Sequence, residues 1–237
     1  LVTADRHAFF KSMPRSIAEK HGLRATFMPK PFMELTGSGC HAHVSVWRDG
    51  ENIFADRSDE IGMSQAGYHF IGGLIHSADA LAAITNPCVN SYKRINAPRT
   101  TSGATWAPNT VTYTGNNRTH MIRIPDGGRF EFRLADGAAN PYLLQAGILA
   151  AGLDGMRNRR DPGKRLDINM YTDGHTVEGV KQLPLNMLDA MRALDRCDVL
   201  NDAFGSFVPS YLKLKQDEWN AYCRHLTQWE RDNTLDC

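Results

Sequence analysis

Two short segments of the chain alternate in polarity with a period of two residues, and each gathers ionisable side chains on one side only. In GSGCHAHVSVW, residues 37–47, an extended backbone puts His41, His43 and Ser45 on one face and Cys40, Ala42, Val44 and Val46 on the other. In RFEFRL, residues 129–134, Arg129, Glu131 and Arg133 oppose Phe130, Phe132 and Leu134. A fold that uses both strands must bury two apolar faces and turn imidazole, carboxylate and guanidinium groups toward something polar. A half-exposed surface strand reads the same way, so either segment alone decides little.

The remaining pattern gives one mixed α+β domain, and 237 residues are enough to bury a sizeable core. Helical spacing runs from 3 to 21, with Gly22 just past its end and Pro14 expected to kink or split it. ATFMPKPF, 25–32, reads as a short strand running into a loop, and Asp49-Gly50 turns a hairpin. One helix is expected from Ser64 to Ile84 despite Gly72-Gly73, stopping before Asn86-Pro87. Residues 86–118 form the longest irregular stretch, with Tyr92, Trp106 and Tyr113 arguing for order within it. MIRIP and RFEFRL follow as strands around an Asp-Gly-Gly turn. Asn140 caps a helix opened by Pro141 and running near Arg157. Further helices are expected at 183–196 and 209–230.

Several function classes fall away. Net charge is +1 without a basic or acidic block, so neither a nucleic-acid footprint nor a membrane-surface patch is expected. No apolar run approaches the length of a membrane span, and no signal-type segment opens the chain. Cysteines 40, 88, 197, 223 and 237 are scattered and never paired as CxxC, which suits free thiols in a reducing cytoplasm. GxGxxG, Walker-type and GxSxG motifs are missing, which argues against the commonest dinucleotide, P-loop and serine-hydrolase designs.

The arginines sharpen the reading. Arg94, Arg118, Arg123, Arg129 and Arg133 fall close together in sequence, and no Asp or Glu lies between Arg94 and Asp126. The planar guanidinium fork suits phosphate and carboxylate, so a cluster without local acids is a candidate anion site. His41 and Glu131 could share a divalent cation: mixed N/O ligation suits Mg²⁺ or Mn²⁺ beside a phosphate, or Zn²⁺ with other partners. Two ligands are too few, so other groups must contribute. An HxH metal hydrolase fits poorly, because its third ligand and its base are unassigned.

Taken in order, ATFMPKPF, GSGCHAHVSVW, GYHFIGGLIHSADAL, NPCVNSYKR, NNRTHMIRIP, RFEFRLADGAANPY and AGLDG resemble the catalytic domain of the glutamine synthetase family. NSYKRINAPR and SGATWAPN resemble most the branch of type III glutamate–ammonia ligases and γ-glutamylmethylamide synthetases. The resemblance implies a curved, mainly antiparallel sheet lining the active site, backed by helices. It implies ATP, glutamate, and ammonia or a small amine as substrates, joined through γ-glutamyl phosphate, with Mg²⁺ or Mn²⁺ as cofactor. His41 and Glu131 would ligate the metal. His43, Ser45, Arg118, Arg123 and Arg129 would contact ATP, and Gly37, Arg94 and Arg133 would hold glutamate; Arg94 and Arg118 would be the catalytic residues.

The resemblance also implies a homo-oligomer of stacked rings. It makes residues 1–237 part of a catalytic domain whose β-grasp-like N-terminal domain and first catalytic strands precede Leu1, so this portion alone is expected to be inactive or nearly so. The family's flap carries a glutamate after the SYKR arginine, whereas INAPRTTSGATWAPNTVTYTG holds no carboxylate. The loop thus lacks the group that would deprotonate ammonium by that route, which points to a methylamine-like acceptor or to a different base. The alternative is a non-catalytic relative that keeps the fold for assembly or regulation.

Overall fold

A computed structural model of the chain describes residues 1–98 and 105–237. The first helix, α1 (Val2–Lys20), runs through Pro14 without the expected break. Pro14 removes the partner of the Phe10 carbonyl, and Phe10 is about half exposed, so water can take the vacated bond. Past the helix, Gly22 adopts φ +67°, and the Gly22 and Leu23 N–H groups donate to the Glu19 and Ala18 carbonyls. That left-handed closure is what glycine permits.

The expected strand at 25–32 does not form. Pro29 and Pro31 have no N–H for a ladder. The backbone of Lys30 pairs instead with the Asn90 side-chain amide, its N–H donating to Oδ1 at 2.7 Å and its carbonyl accepting from Nδ2 at 3.0 Å. Strand β1 (Ala42–Val44) is followed by the hairpin β2 (Trp47–Arg48) and β3 (Glu51–Asn52). Asp49 and Gly50 at its turn both have positive φ, +52° and +83°, as a two-residue hairpin requires.

The single helix expected over 64–84 is two, α2 (Gln65–His76) and α3 (Ala78–Thr85), meeting at Ser77. The glycines inside α2 are explained by α5 (Pro141–Arg157), which is capped by Asn140 as expected. A Cβ on Gly73 would stand 1.9 Å from the Ala151 carbonyl, and one on Gly155 2.2 Å from that of His69. The two backbones touch, and side chains would force them apart.

Helix α4 (Val89–Ile95) occupies part of the stretch expected to be irregular, and Ser91 helps cap its start, its Oγ accepting the Cys88 N–H at 3.3 Å. Strands β4 (Tyr113–Thr114), β5 (Ile122–Asp126) and β6 (Arg129–Phe132) follow. The C-terminal region holds α6 (Met187–Asp195), α7 (Asp198–Phe204), α8 (Phe207–Cys223) and α9 (Gln228–Thr234). The helix expected over 209–230 is thus divided, because Thr227 and Glu230 form a capping box that starts a new helix.

The main sheet has the order β1-β6-β5-β4, antiparallel except for the parallel pair β4 and β5. Phe130, Phe132 and Leu134 are fully buried on the helix-facing side, with Phe130 against Phe54 and Phe70. Burying each such side chain contributes about 1.5–3 kcal/mol, which fixes the face that the alternate residues must take. All five cysteines are free.

Candidate active site

Register puts the ionisable side chains in rows. His43 on β1 pairs with Glu131 on β6, Glu131 pairs with Arg123 on β5, and Arg123 pairs with Thr114 on β4. Because all four are directly opposite one another, they share one face of the sheet. The alternation of both signature segments holds, and the two polar faces meet.

Glu131 is the centre of that face. It is buried, its Oε2 accepts from Arg123 Nη1 at 2.8 Å, and its Oε1 accepts from Arg133 Nη1 at 2.9 Å. His41 Nδ1 lies 3.1 Å from Oε1, and His43 Nε2 lies 3.8 Å from it. Burial alone would raise the Glu131 carboxyl. The Arg123 hydrogen bond and the charges of Arg133 and His41 outweigh it and hold the group down at about 2. Burial, then the charges of Arg133 and Arg94, push the His41 imidazole down to about 4. At neutral pH the close His41–Glu131 approach is therefore a carboxylate facing a neutral imidazole, not an ion pair.

Arg133 Nη1 also donates toward His41 Nδ1 at 3.2 Å. The neutral imidazole keeps one ring nitrogen unprotonated beside the Glu131 carboxylate, and that is the form that binds metal. Among the described residues no group of three or more His, Cys, Asp or Glu forms a metal cluster. The donor set fits part of a hard-cation site whose other ligands come from elsewhere.

Neutral acceptors share the arginines with Glu131 and Asp126. Arg94 is buried beneath the GSG turn and donates to the Leu134 carbonyl at 2.8 Å and the Arg133 carbonyl at 3.4 Å. Gly37 and Gly39 make room for it: a Cβ on Gly37 would lie 3.2 Å from Arg94 Cγ, and one on Gly39 3.1 Å from Arg94 Nη2 and 2.8 Å from His41 Nε2. Arg123 Nε and Nη2 donate to Asn116 Oδ1 at 2.9 and 2.5 Å. Arg133 Nη2 donates to the Trp106 carbonyl at 3.4 Å, while its buried Nε has no partner among the described residues. An unmade buried guanidinium bond is costly, which marks Arg133 as able to receive an anionic ligand.

Other expected residues sit farther out. Arg129 does have a local acid, its Nε and Nη2 gripping Asp126 at 2.6 and 2.7 Å, while Nη1 donates to His43 Nδ1 at 2.8 Å. That partner is the acid at which the acid-free interval in the sequence ends, three residues before Arg129. Ser45 accepts from Trp47 Nε1 at 3.0 Å on the exposed edge, and Arg118 is exposed on the loop between β4 and β5. Residues 99–104 of the flap-like loop, including the start of SGATWAPN, lie outside the described residues.

Sequence reasoning missed Asn116, Gly39 and Asp136. Asp136 is fully buried, accepting from the Ala138 N–H at 2.9 Å and Asn86 Nδ2 at 3.0 Å, and burial raises its carboxyl while Arg94 and the hydrogen bonds oppose the rise. It also missed the backbone at Trp106, which holds φ +55° where its carbonyl meets Arg133. A positive φ at a tryptophan has no sequence signature. Asn116 had one: a cluster of arginines without acids must find neutral acceptors.

The geometry has counterparts among known proteins. The family described as "Glutamine synthetase, catalytic domain" matches residues 1–234. A glutamine synthetase of Rhizobium leguminosarum bv. phaseoli is 66% identical over 100% of this chain and 55% of its own length. A glutamate–methylamine ligase of Methyloversatilis universalis is 43% identical, covering 100% of this chain and 54% of the relative. Among solved structures, a GmaS/ADP complex superposes with TM-score 0.94 at 62% identity, over 100% of this chain and 55% of that one. The chain spans about half the length of the relatives it matches.

Proposed function

The chain belongs to the glutamine synthetase family, and from that premise we propose that it is part of the catalytic domain of an ATP-dependent ligase. The reaction joins glutamate to ammonia or a small alkylamine as a γ-glutamyl amide, through γ-glutamyl phosphate. The observation that carries this reading is the convergence of His41, Arg123 and Arg133 on the buried carboxylate of Glu131. Relatives bearing both the glutamine synthetase and the glutamate–methylamine ligase names support the amide-forming chemistry and leave the amine as the variable.

His41 and Glu131 would hold a divalent cation, Mg²⁺ or Mn²⁺, which when bound supplies charge neutralisation at phosphate oxygens. Further ligands come from phosphate, water or residues of the longer protein, whose N-terminal domain and first catalytic strands we place outside this chain. Arg118, Arg123 and Arg129, with His43 and Ser45, face the nucleotide. Gly37, Arg94 and Arg133 line the glutamate side, where Arg133 Nε has no partner among the described residues. Phosphoryl transfer needs positioning and cancellation of negative charge more than covalent help, and this arrangement offers both.

The active form is a homo-oligomer of stacked rings, in the cytoplasm. No helix among the described residues is long and apolar enough to cross a membrane.

The test is kcat/KM of the full-length protein with ammonia, methylamine and ethylamine at fixed glutamate and ATP. Metal-dependent ADP release with at least one amine supports the reading. No amine-stimulated ADP release under any of them overturns it and favours a non-catalytic assembly role.

A further inference from the structure

We propose that Asn116 is a positioning residue for Arg123, one that orients the guanidinium without cancelling its charge. The proposal rests on the reading above that Arg123 faces the nucleotide phosphates.

The Asn116 side-chain oxygen accepts from both Nε and Nη2 of Arg123, at 2.9 and 2.5 Å, while Nη1 donates to Glu131 Oε2 at 2.8 Å. The planar group is thus held on two edges. Three of its five N–H bonds are used, and one on each Nη remains for a ligand. A carboxylate at position 116 would hold the same edge but would pair with the cation. An amide leaves the positive charge uncompensated on that side, so it stays available to an anion. Arg94 is held in the same way, by the neutral carbonyls of Leu134 and Arg133.

Asn116 can do this because its loop is anchored independently of Arg123. The Ile124 N–H donates to the Gly115 carbonyl at 3.2 Å. Asn117 Oδ1 accepts from the Thr119 N–H and Oγ1 at 3.0 and 2.9 Å, and its Nδ2 donates to the Ile168 carbonyl at 2.9 Å. His120 is buried between Thr112 Oγ1 and the Ile168 carbonyl, at 3.0 and 2.9 Å. From this fixed loop Asn116 and Arg118, two residues apart, are the exposed side chains flanking the half-buried Asn117. The loop is a rigid mount, and Asn116 is its contact with the arginine.

The experiment compares Asn116→Ala, Asn116→Asp, Arg123→Ala and the double variant Asn116→Ala/Arg123→Ala in the full-length enzyme. Steady-state kinetics in ATP and in glutamate are read alongside melting temperature. The expected result for Asn116→Ala is a fall of roughly tenfold in kcat/KM for ATP, the scale of losing hydrogen bonds to a charged group, with KM for glutamate unchanged. Asn116→Asp, which keeps the shape and adds a charge, is expected to lower kcat/KM for ATP as well. In the Arg123→Ala background, Asn116→Ala should add nothing, since it acts through the missing group.

Wild-type kcat/KM for ATP in both Asn116 variants, with Arg123→Ala impaired, overturns the proposal alone. An equal loss from Asn116→Ala with and without Arg123 overturns it too, since it places the effect elsewhere. Unchanged ATP kinetics in Arg123→Ala removes the nucleotide assignment itself, and the proposal with it.

Discussion

Glu131 Oε1 lies 3.1 Å from His41 Nδ1, yet the imidazole, pushed down to about 4 by burial and by Arg133, is neutral at neutral pH, where the carboxylate is charged. Their closeness is therefore not explained by mutual attraction of opposite charges. In the full-length protein, His41→Ala or Glu131→Ala is expected to lower metal-dependent ADP release by about a hundredfold or more, on the scale of lost electrostatic catalysis. His225→Ala, an exposed site past the end of α8, should leave it unchanged. A coupled assay of ADP with and without Mg²⁺ checks all three.

The two glycines of the GSG turn should separate stability from activity. A Cβ on Gly37 would sit 2.3 Å from the Pro29 carbonyl, a backbone group that cannot step aside. Gly37→Ala is expected to cost about 1–3 kcal/mol in urea unfolding. On Gly39 the nearest atom is the tip of His41, which can rotate. Gly39→Ala should lose turnover while its unfolding midpoint hardly moves.

Arg133→Lys should be far from conservative. The buried guanidinium serves Glu131 and His41 from Nη1 and Trp106 from Nη2, and an ammonium cannot span them. A loss of about 1.5–3 kcal/mol of stability is expected. KM for glutamate should rise in the same variant, measured by initial rates at saturating ATP.

Acid should expose the structural part played by His120. Burial lowers its pKa, with the Ile168 carbonyl and Asp167 opposing. A histidine harder to protonate in the folded state than in the unfolded one stabilises the fold above the unfolded value, about 6.5, and less as pH falls from there toward the lowered value. His120→Gln should flatten that part of the curve. The check is the wild-type minus variant difference in unfolding free energy between about pH 7 and 5.

The polar faces of both signature strands were legible because a period of two leaves only one way to bury Phe130, Phe132 and Leu134. That Glu131 meets His41 was anticipated from the two polar faces and from the family resemblance, whereas its pairing with Arg123 was not, since strand order is not written in alternation. Helix breaks were the weakest point. Ser77 divides 64–84 without a side-chain cap to mark the break, and Thr227 starts α9 where apolar spacing continued. The strand expected at 25–32 failed because a partner was needed, and Asn90 supplied it from a side chain. In the site itself, Glu131 and the histidines were found while buried Asp136 and the neutral acceptors were not; the Trp106 carbonyl shows itself only by where its oxygen points.

The most direct test is anomalous diffraction from crystals of the full-length protein grown with ADP and Mn²⁺. The account predicts a manganese peak within coordination distance, about 2.0–2.6 Å, of both a His41 nitrogen and a Glu131 oxygen. A fully occupied manganese beside the nucleotide that touches neither residue would contradict it.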